Sequence, residues 1–106
     1  MNKTNLLGTS KSGFTLYSPV KRTFQLSFGN FILNLTTPGF IQFTDFIDHL
    51  TGQYFGKGDP VKRMLEVGTP YQGISFLLSY EELSELNELL IKSRKELIQE
   101  NFFELN

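Results

Sequence analysis

Residues 22–35, RTFQLSFGNFILNL, decide the fold, because apolar and polar side chains alternate on both sides of a central Gly-Asn pair. Every second residue from Phe24 to Phe28 is apolar, and the alternation resumes from Phe31 to Leu35. A period of two is typical of a strand with one buried face. Gly29 and Asn30 are residue types that tolerate the positive φ angles of tight turns. The stretch therefore predicts a β-hairpin.

The same alternation recurs between residues 61 and 78. Residues Val61–Val67 predict a third strand, and residues Ile74–Leu78 predict a fourth. The six residues between them, GTPYQG, are typical of a longer turn. A second hairpin is therefore expected.

Helical spacing of apolar residues follows each hairpin. A first helix is predicted over about residues 38–51, with Thr37 as its N-cap and Gly52 as its C-cap. A second helix is predicted over about residues 80–100. Ser79 and Glu82 have the Ser-x-x-Glu spacing of a capping box at its start.

A short internal repeat relates the two halves. Residues 19–22, PVKR, recur as residues 60–63, and each copy precedes a strand, a turn, a strand and a helix. We interpret this as a duplicated strand-strand-helix unit, with pseudo-repeats at about residues 19–51 and 60–100. The predicted fold is an α+β two-layer sandwich, in which a four-stranded, mainly antiparallel sheet carries both helices on one face. Residues 1–12 are expected to be a flexible leader and residues 13–106 a single domain.

Two stretches give the chain a resemblance to known families. Residues 24–30, FQLSFGN, and residues 78–83, LSYEEL, resemble small uncharacterised bacterial protein families, especially those of Bacteroidetes-type bacteria. The resemblance covers most of residues 20–95. It depends on a strand, a turn and a capped helix, so it implies no activity and identifies no site residue.

Composition excludes several classes of protein. The 106 residues include no Cys and one His, which leaves no disulfide, no thiolate site and no His-rich metal site. The net charge of -1 gives no global attraction to nucleic acid. No apolar run is long enough for a membrane span, and the N-terminus lacks the apolar core of a signal peptide. A cytoplasmic protein is expected.

No motif predicts catalysis or a cofactor. The loop of residues 52–58, GQYFGKG, lacks the spacing and the following Ser or Thr of a phosphate-binding P-loop. Asp45 and His49 lie four residues apart on the first helix, without a third metal ligand or a partner nucleophile. We therefore expect a non-enzymatic protein with no catalytic residues, no metal and no cofactor.

Two hypotheses for binding remain. The expected partner is a second copy of the chain or another protein, bound through apolar residues of the open sheet face and of the C-terminal tail. These partner-interface candidates are Ile32, Met64, Leu77, Phe102 and Phe103. The alternative is nucleic acid or another anionic ligand, bound by a basic patch at the strand starts. The patch would consist of Lys21, Arg22, Lys62 and Arg63. The alternative explanation of these charges is that they protect the strand ends from pairing with other strands.

Overall fold

The computed structural model describes residues 4–99, and within that range it contains six strands and two helices. The strands are β1, Asn5–Thr9; β2, Gly13–Ser18; β3, Thr23–Phe28; β4, Phe31–Thr36; β5, Leu65–Gly68; and β6, Ser75–Leu78. The helices are α1, Thr37–Tyr54, which follows β4, and α2, Tyr80–Gln99, which follows β6.

The first four strands form one antiparallel sheet in the order β1-β2-β3-β4, and β5 and β6 form a separate two-stranded sheet. Helix α2 packs against β1 and β2, and α1 packs against β3 and β4, all on the side where the buried residues form one core. The predicted α+β fold with a four-stranded antiparallel sheet is confirmed. Its strands differ from those expected, because β1 and β2 complete the sheet and the second hairpin stands apart.

The predicted first hairpin is present as β3 and β4. Phe28 pairs with Phe31 across the two-residue turn, and Gly29 has a φ of 61°. A glycine at the first of two central positions is typical of a type II′ turn, whose twist matches that of the flanking strands.

The expected flexible leader is wrong for residues 5–9, which form the edge strand β1. Leu6 pairs with Leu16, and the register then shifts, so that Leu7 and Gly8 are both buried. A Cβ atom on Gly8 would lie 2.9 Å from the Ser93 Oγ of α2, so the glycine lets strand and helix approach closely. This β-bulge breaks the period of two, which hid the strand from the sequence analysis.

The proposed duplication is not confirmed, because the two hairpins have different surroundings. The first PVKR copy forms the turn between β2 and β3, where Arg22 has a φ of 54°. The second copy lies before β5, which starts at Leu65 and not at Val61. There the Asp59 carboxylate accepts the backbone N–H groups of residues 61 and 62, so those groups make no ladder bonds.

Helix α1 begins one residue earlier than expected. The hydroxyl of Thr36 accepts the N–H of Gly39 at 3.1 Å, so Thr36 and not Thr37 is the N-cap. The helix continues past Gly52 to Tyr54. The ring of Phe40, on α1, stacks on the ring of Phe24, on β3. The ring centroids are 4.1 Å apart and the angle between the ring planes is 5°. This contact places α1 on the inner face of the sheet.

The capping box that the sequence predicts for α2 is confirmed. The Ser79 N–H donates to the Glu82 carboxylate at 3.0 Å, and the Glu82 N–H donates to the Ser79 hydroxyl at 3.1 Å. Five buried leucines then face the core: Leu83, Leu86, Leu89, Leu90 and Leu97. The buried hydroxyls of Ser93 and Thr15 are hydrogen-bonded to each other, which joins α2 to β2.

Strands β2 and β3 approach closely at Gly13. A Cβ atom there would lie 1.9 Å from the Ser27 carbonyl oxygen, so backbone would have to move. We expect Gly13→Ala to lower the free energy of unfolding by about 1–3 kcal/mol. Gly52→Ala is the control, because nothing lies within 4 Å of its Cβ position. Alanine should stabilise that helical site by about 0.5–1 kcal/mol. Urea unfolding measures both, and equal stabilities would contradict the close approach.

Candidate functional site

The face of the four-stranded sheet that points away from the helices carries several exposed apolar side chains. We call it the open face. Strand alternation assigns eight of its side chains, all at positions opposite in phase to the buried core. They are Leu6, Phe14, Leu16, Thr23, Gln25, Ser27, Ile32 and Asn34.

Apolar side chains are concentrated in two neighbouring rows of the open face. In one row Phe14 pairs with Ser27, which pairs with Ile32. In the next row Leu6 pairs with Leu16. The exposed fractions are 58% for Leu6, 59% for Ile32 and 37% for Phe14. Large apolar groups therefore reach solvent on a surface that a sheet normally covers or makes polar.

The open face also lacks charge. Charged residues make up 20% of the chain, yet none occurs in the four strands β1–β4. By contrast, α2 alone carries eight charged residues. Depletion of charge around exposed apolar and aromatic residues is the composition found at the centre of protein–protein interfaces.

The structure separates the predicted interface residues. Ile32 lies on the open face, as expected. Leu77 and Met64 are exposed by 57% and 68%, but Leu77 lies on β6 and Met64 just before β5, both outside the four-stranded sheet. Phe102 and Phe103 lie outside the described residues.

Three apolar residues of the open face were not predicted from the sequence, namely Leu6, Phe14 and Leu16. A signal was present, because residues 14–17 alternate and Leu6-Leu7 is an apolar pair. The assignment of residues 1–12 to a leader removed the strand that would have paired with residues 14–17.

The predicted basic patch is split between the two ends of the sheet. Lys21 and Arg22 lie in the β2–β3 turn. Arg63 lines a cleft with Ser12 and Gly29, which belong to the β1–β2 and β3–β4 turns. In an antiparallel meander those turns are at the opposite end, roughly 20 Å away along the strands. The four cations therefore form no common patch in this structure.

Arg63 is engaged in a structural ion pair. Its guanidinium donates from Nε to Glu82 Oε1 at 3.0 Å and from Nη2 to Oε2 at 2.7 Å. These bonds hold the pKa of Glu82 below its ordinary value of 4.5, against the opposing effect of burial, and the N–H of Ser79 adds to the lowering. Arg63 thus supports the start of α2.

Glu85, one turn further along α2 than Glu81 and Glu82, also has a structural role. Its carboxylate accepts hydrogen bonds from the Ser10 hydroxyl at 2.6 Å and from the Ser12 N–H at 2.6 Å. It therefore fixes the β1–β2 turn against the helix. Among residues 4–99 there is no group of three side chains able to hold a metal ion, and neither helix there could cross a membrane.

Comparisons with known proteins give one match. The family model described as "Family of unknown function (DUF6686)" matches residues 1–105. This agrees with the expected resemblance to an uncharacterised family; the Bacteroidetes source remains a prediction. No curated protein and no solved structure matches the chain.

Glu82 should make stability depend on pH. Because its pKa is lower in the folded state, its ionised form stabilises the fold above about pH 4.5. This contribution is lost as the pH falls through the lowered pKa. We expect Glu82→Gln to be less stable than the wild type at pH 7 and to lose less of its remaining stability between pH 5 and pH 3. Urea unfolding across this range measures the effect.

The control is Glu88→Gln, which neutralises an exposed glutamate of the same helix. It should follow the acid dependence of the wild type more closely than Glu82→Gln does. Identical acid dependence for Glu82→Gln and the wild type would contradict the stabilising role of the ion pair.

Proposed function

We propose that this chain, which belongs to the family of unknown function DUF6686, is a non-enzymatic protein-interaction module that forms a homodimer through the open face of its sheet. The observation that supports this proposal is the combination of exposed Leu6, Phe14 and Ile32 with the absence of charge from all four strands. Burial of such a face stabilises association through the hydrophobic effect.

A second copy is the partner that this face fits best. A twofold contact places the open face of one copy against the same face of the other copy. Like charges on that face would therefore repel one another. The open face has none. Four strands about 4.8 Å apart, one of five residues and three of six, give a face of roughly 19 by 20 Å. With side chains projecting from it, its accessible area approaches ~500 Å² per partner, which is the lower limit for a biological interface and less than the ~800 Å² of a standard one.

A non-enzymatic role agrees with how the polar groups are used. Glu82 and Glu85 accept hydrogen bonds that cap a helix and fix a turn, and Asp45 pairs with Arg94 between the two helices at 2.6 Å. Binding of nucleic acid is a weaker candidate, because the open face has no cation and the two Lys-Arg pairs lie apart. The cytoplasmic location remains a prediction from the sequence.

The native mass in solution tests the homodimer. We expect light scattering on a sizing column to give twice the chain mass of 12.2 kDa for the wild type. Ile32→Lys and Leu6→Lys should each raise the dissociation constant roughly a hundredfold or more, because an unpaired ammonium would be buried between the copies. Each variant should keep the circular dichroism of the wild type, since both residues are exposed in the monomer.

Val61→Lys is the matched control, because Val61 is an exposed apolar residue outside the sheet. It should leave the dimer unchanged. The native mass of Leu77→Lys tests whether the β5–β6 hairpin contributes to the dimer contact. A monomeric wild type, or a dimer insensitive to both open-face lysines, would overturn the proposal.

A further inference from the structure

Within residues 4–99, one edge of strand β4 pairs with no other strand. Because Phe28 and Phe31 close a two-residue turn, Phe31, Leu33 and Leu35 direct their backbone groups toward β3. The backbone groups of Ile32 and Asn34 therefore point away from β3, out of the four-stranded sheet.

Strand β6 has a similar free edge. The Thr69 N–H donates to the Ile74 carbonyl at 3.3 Å, which makes this a hydrogen-bonded pair of the hairpin. Pairs alternate along an antiparallel ladder, so Phe76 and Leu78 also face β5. The backbone groups of Ser75 and Leu77 point away from it.

The β4 side of the large sheet and the β5–β6 hairpin meet without forming a common sheet. The rings of Phe31 and Phe76 touch edge to face, with centroids 4.9 Å apart. The Tyr71 hydroxyl, from the turn before β6, donates to the Asn34 carbonyl. No ladder joins β4 to β6. We call this boundary the seam; a cleft of about 310 Å³ opens in it, lined on its apolar side by Phe28, Phe31, Phe76 and Leu78.

The seam lacks the usual protection of strand edges. Proteins commonly place a charge, a proline or a bulge on an exposed edge to prevent another strand from pairing with it. β4 has the sequence FILNLT and β6 has SFLL, so neither contains a charge or a proline. The pairing of β4 with β3 is also regular, whereas the opposite edge strand, β1, is bulged.

We propose that the seam binds an extended, uncharged peptide segment of another protein, which pairs as a strand with the free edge of β4. The outward N–H and C=O groups of Ile32 and Asn34 match the alternating donors and acceptors of an extended backbone. The absence of charge from β4 and β6 matches an uncharged ligand strand, whose apolar side chains enter the cleft on its apolar side. The two charged residues that also line this cleft, Arg63 and Glu82, are paired with each other. This binding site uses the backbone edge of β4, whereas the open face uses side chains, among them that of Ile32; peptide binding does not require the homodimer.

Tyr71 acts as a competitor of the ligand in this arrangement. Its hydroxyl donates a hydrogen bond to the Asn34 carbonyl, which is an acceptor that an added strand needs. Removal of the hydroxyl by Tyr71→Phe leaves this acceptor free and keeps the ring. The variant should therefore bind a strand more tightly than the wild type does.

The experiment uses the full chain and a phage-displayed library of random linear peptides. Enriched peptides are synthesised, and their affinities are measured by fluorescence anisotropy. Ile32→Pro removes the outward N–H of β4 without removing a bond to β3, and Ile32→Val keeps that N–H. We expect Ile32→Pro to weaken binding about fivefold or more, Ile32→Val to change it little, and Tyr71→Phe to strengthen it about threefold.

Two further measurements separate this proposal from the homodimer. Leu6→Lys, which alters only the open face, should leave peptide affinity unchanged. Hydrogen exchange on the wild type should show the Ile32 amide becoming protected when peptide binds, which decides the question if Ile32→Pro fails to fold. Failure to enrich any peptide, equal affinity for folded Ile32→Pro and the wild type, or an unprotected Ile32 amide would overturn the proposal.

Discussion

The stacking of Phe40 on Phe24 fixes the arrangement on which the rest of the structure depends. Helix α1 starts at Thr37, directly after β4 ends at Thr36, so no loop separates the two elements. The ring of Phe40, in the first turn of α1, lies flat against Phe24 of β3 and directs the helix over the inner face. Helix α2 then packs beside α1 on the same side. Within the described residues, 4–99, one face of the sheet is covered by the helices and the other is left to solvent.

Local features of this arrangement were predictable from the sequence, because neighbouring residues determine them. The alternation on both sides of Gly29-Asn30 predicted a hairpin, and a two-residue turn also fixes its register. The spacing of Ser79 and Glu82 predicted the cap of α2, whose two reciprocal hydrogen bonds are both present. Ile32 followed from the same alternation, since its phase is opposite to that of the buried residues.

Features that depend on distant contacts were not predictable in this way. Whether β5 and β6 join the large sheet depends on which edge meets β4, and alternation within a strand carries no information about its neighbours. Strand β1 depends on Gly8 fitting against Ser93, a contact across most of the chain. Arg63 was read as a free cation because Glu82, its partner, lies on another element. The missed part of the open face follows from the missed strand.

The distribution of charge connects the fold to the proposed binding surfaces. An isolated sheet protein gains solubility from charges on its exposed strands and edges, and these charges cost little stability. Within residues 4–99 the charges lie on the helices, on the connections and at Glu66 of β5, whereas β1–β4 and β6 have none. Stability of the monomer does not explain this, because the core uses only the inner face. The two proposals, burial of the outer face and pairing of the β4 edge, both agree with it, since a charge at either place would then lose its hydration.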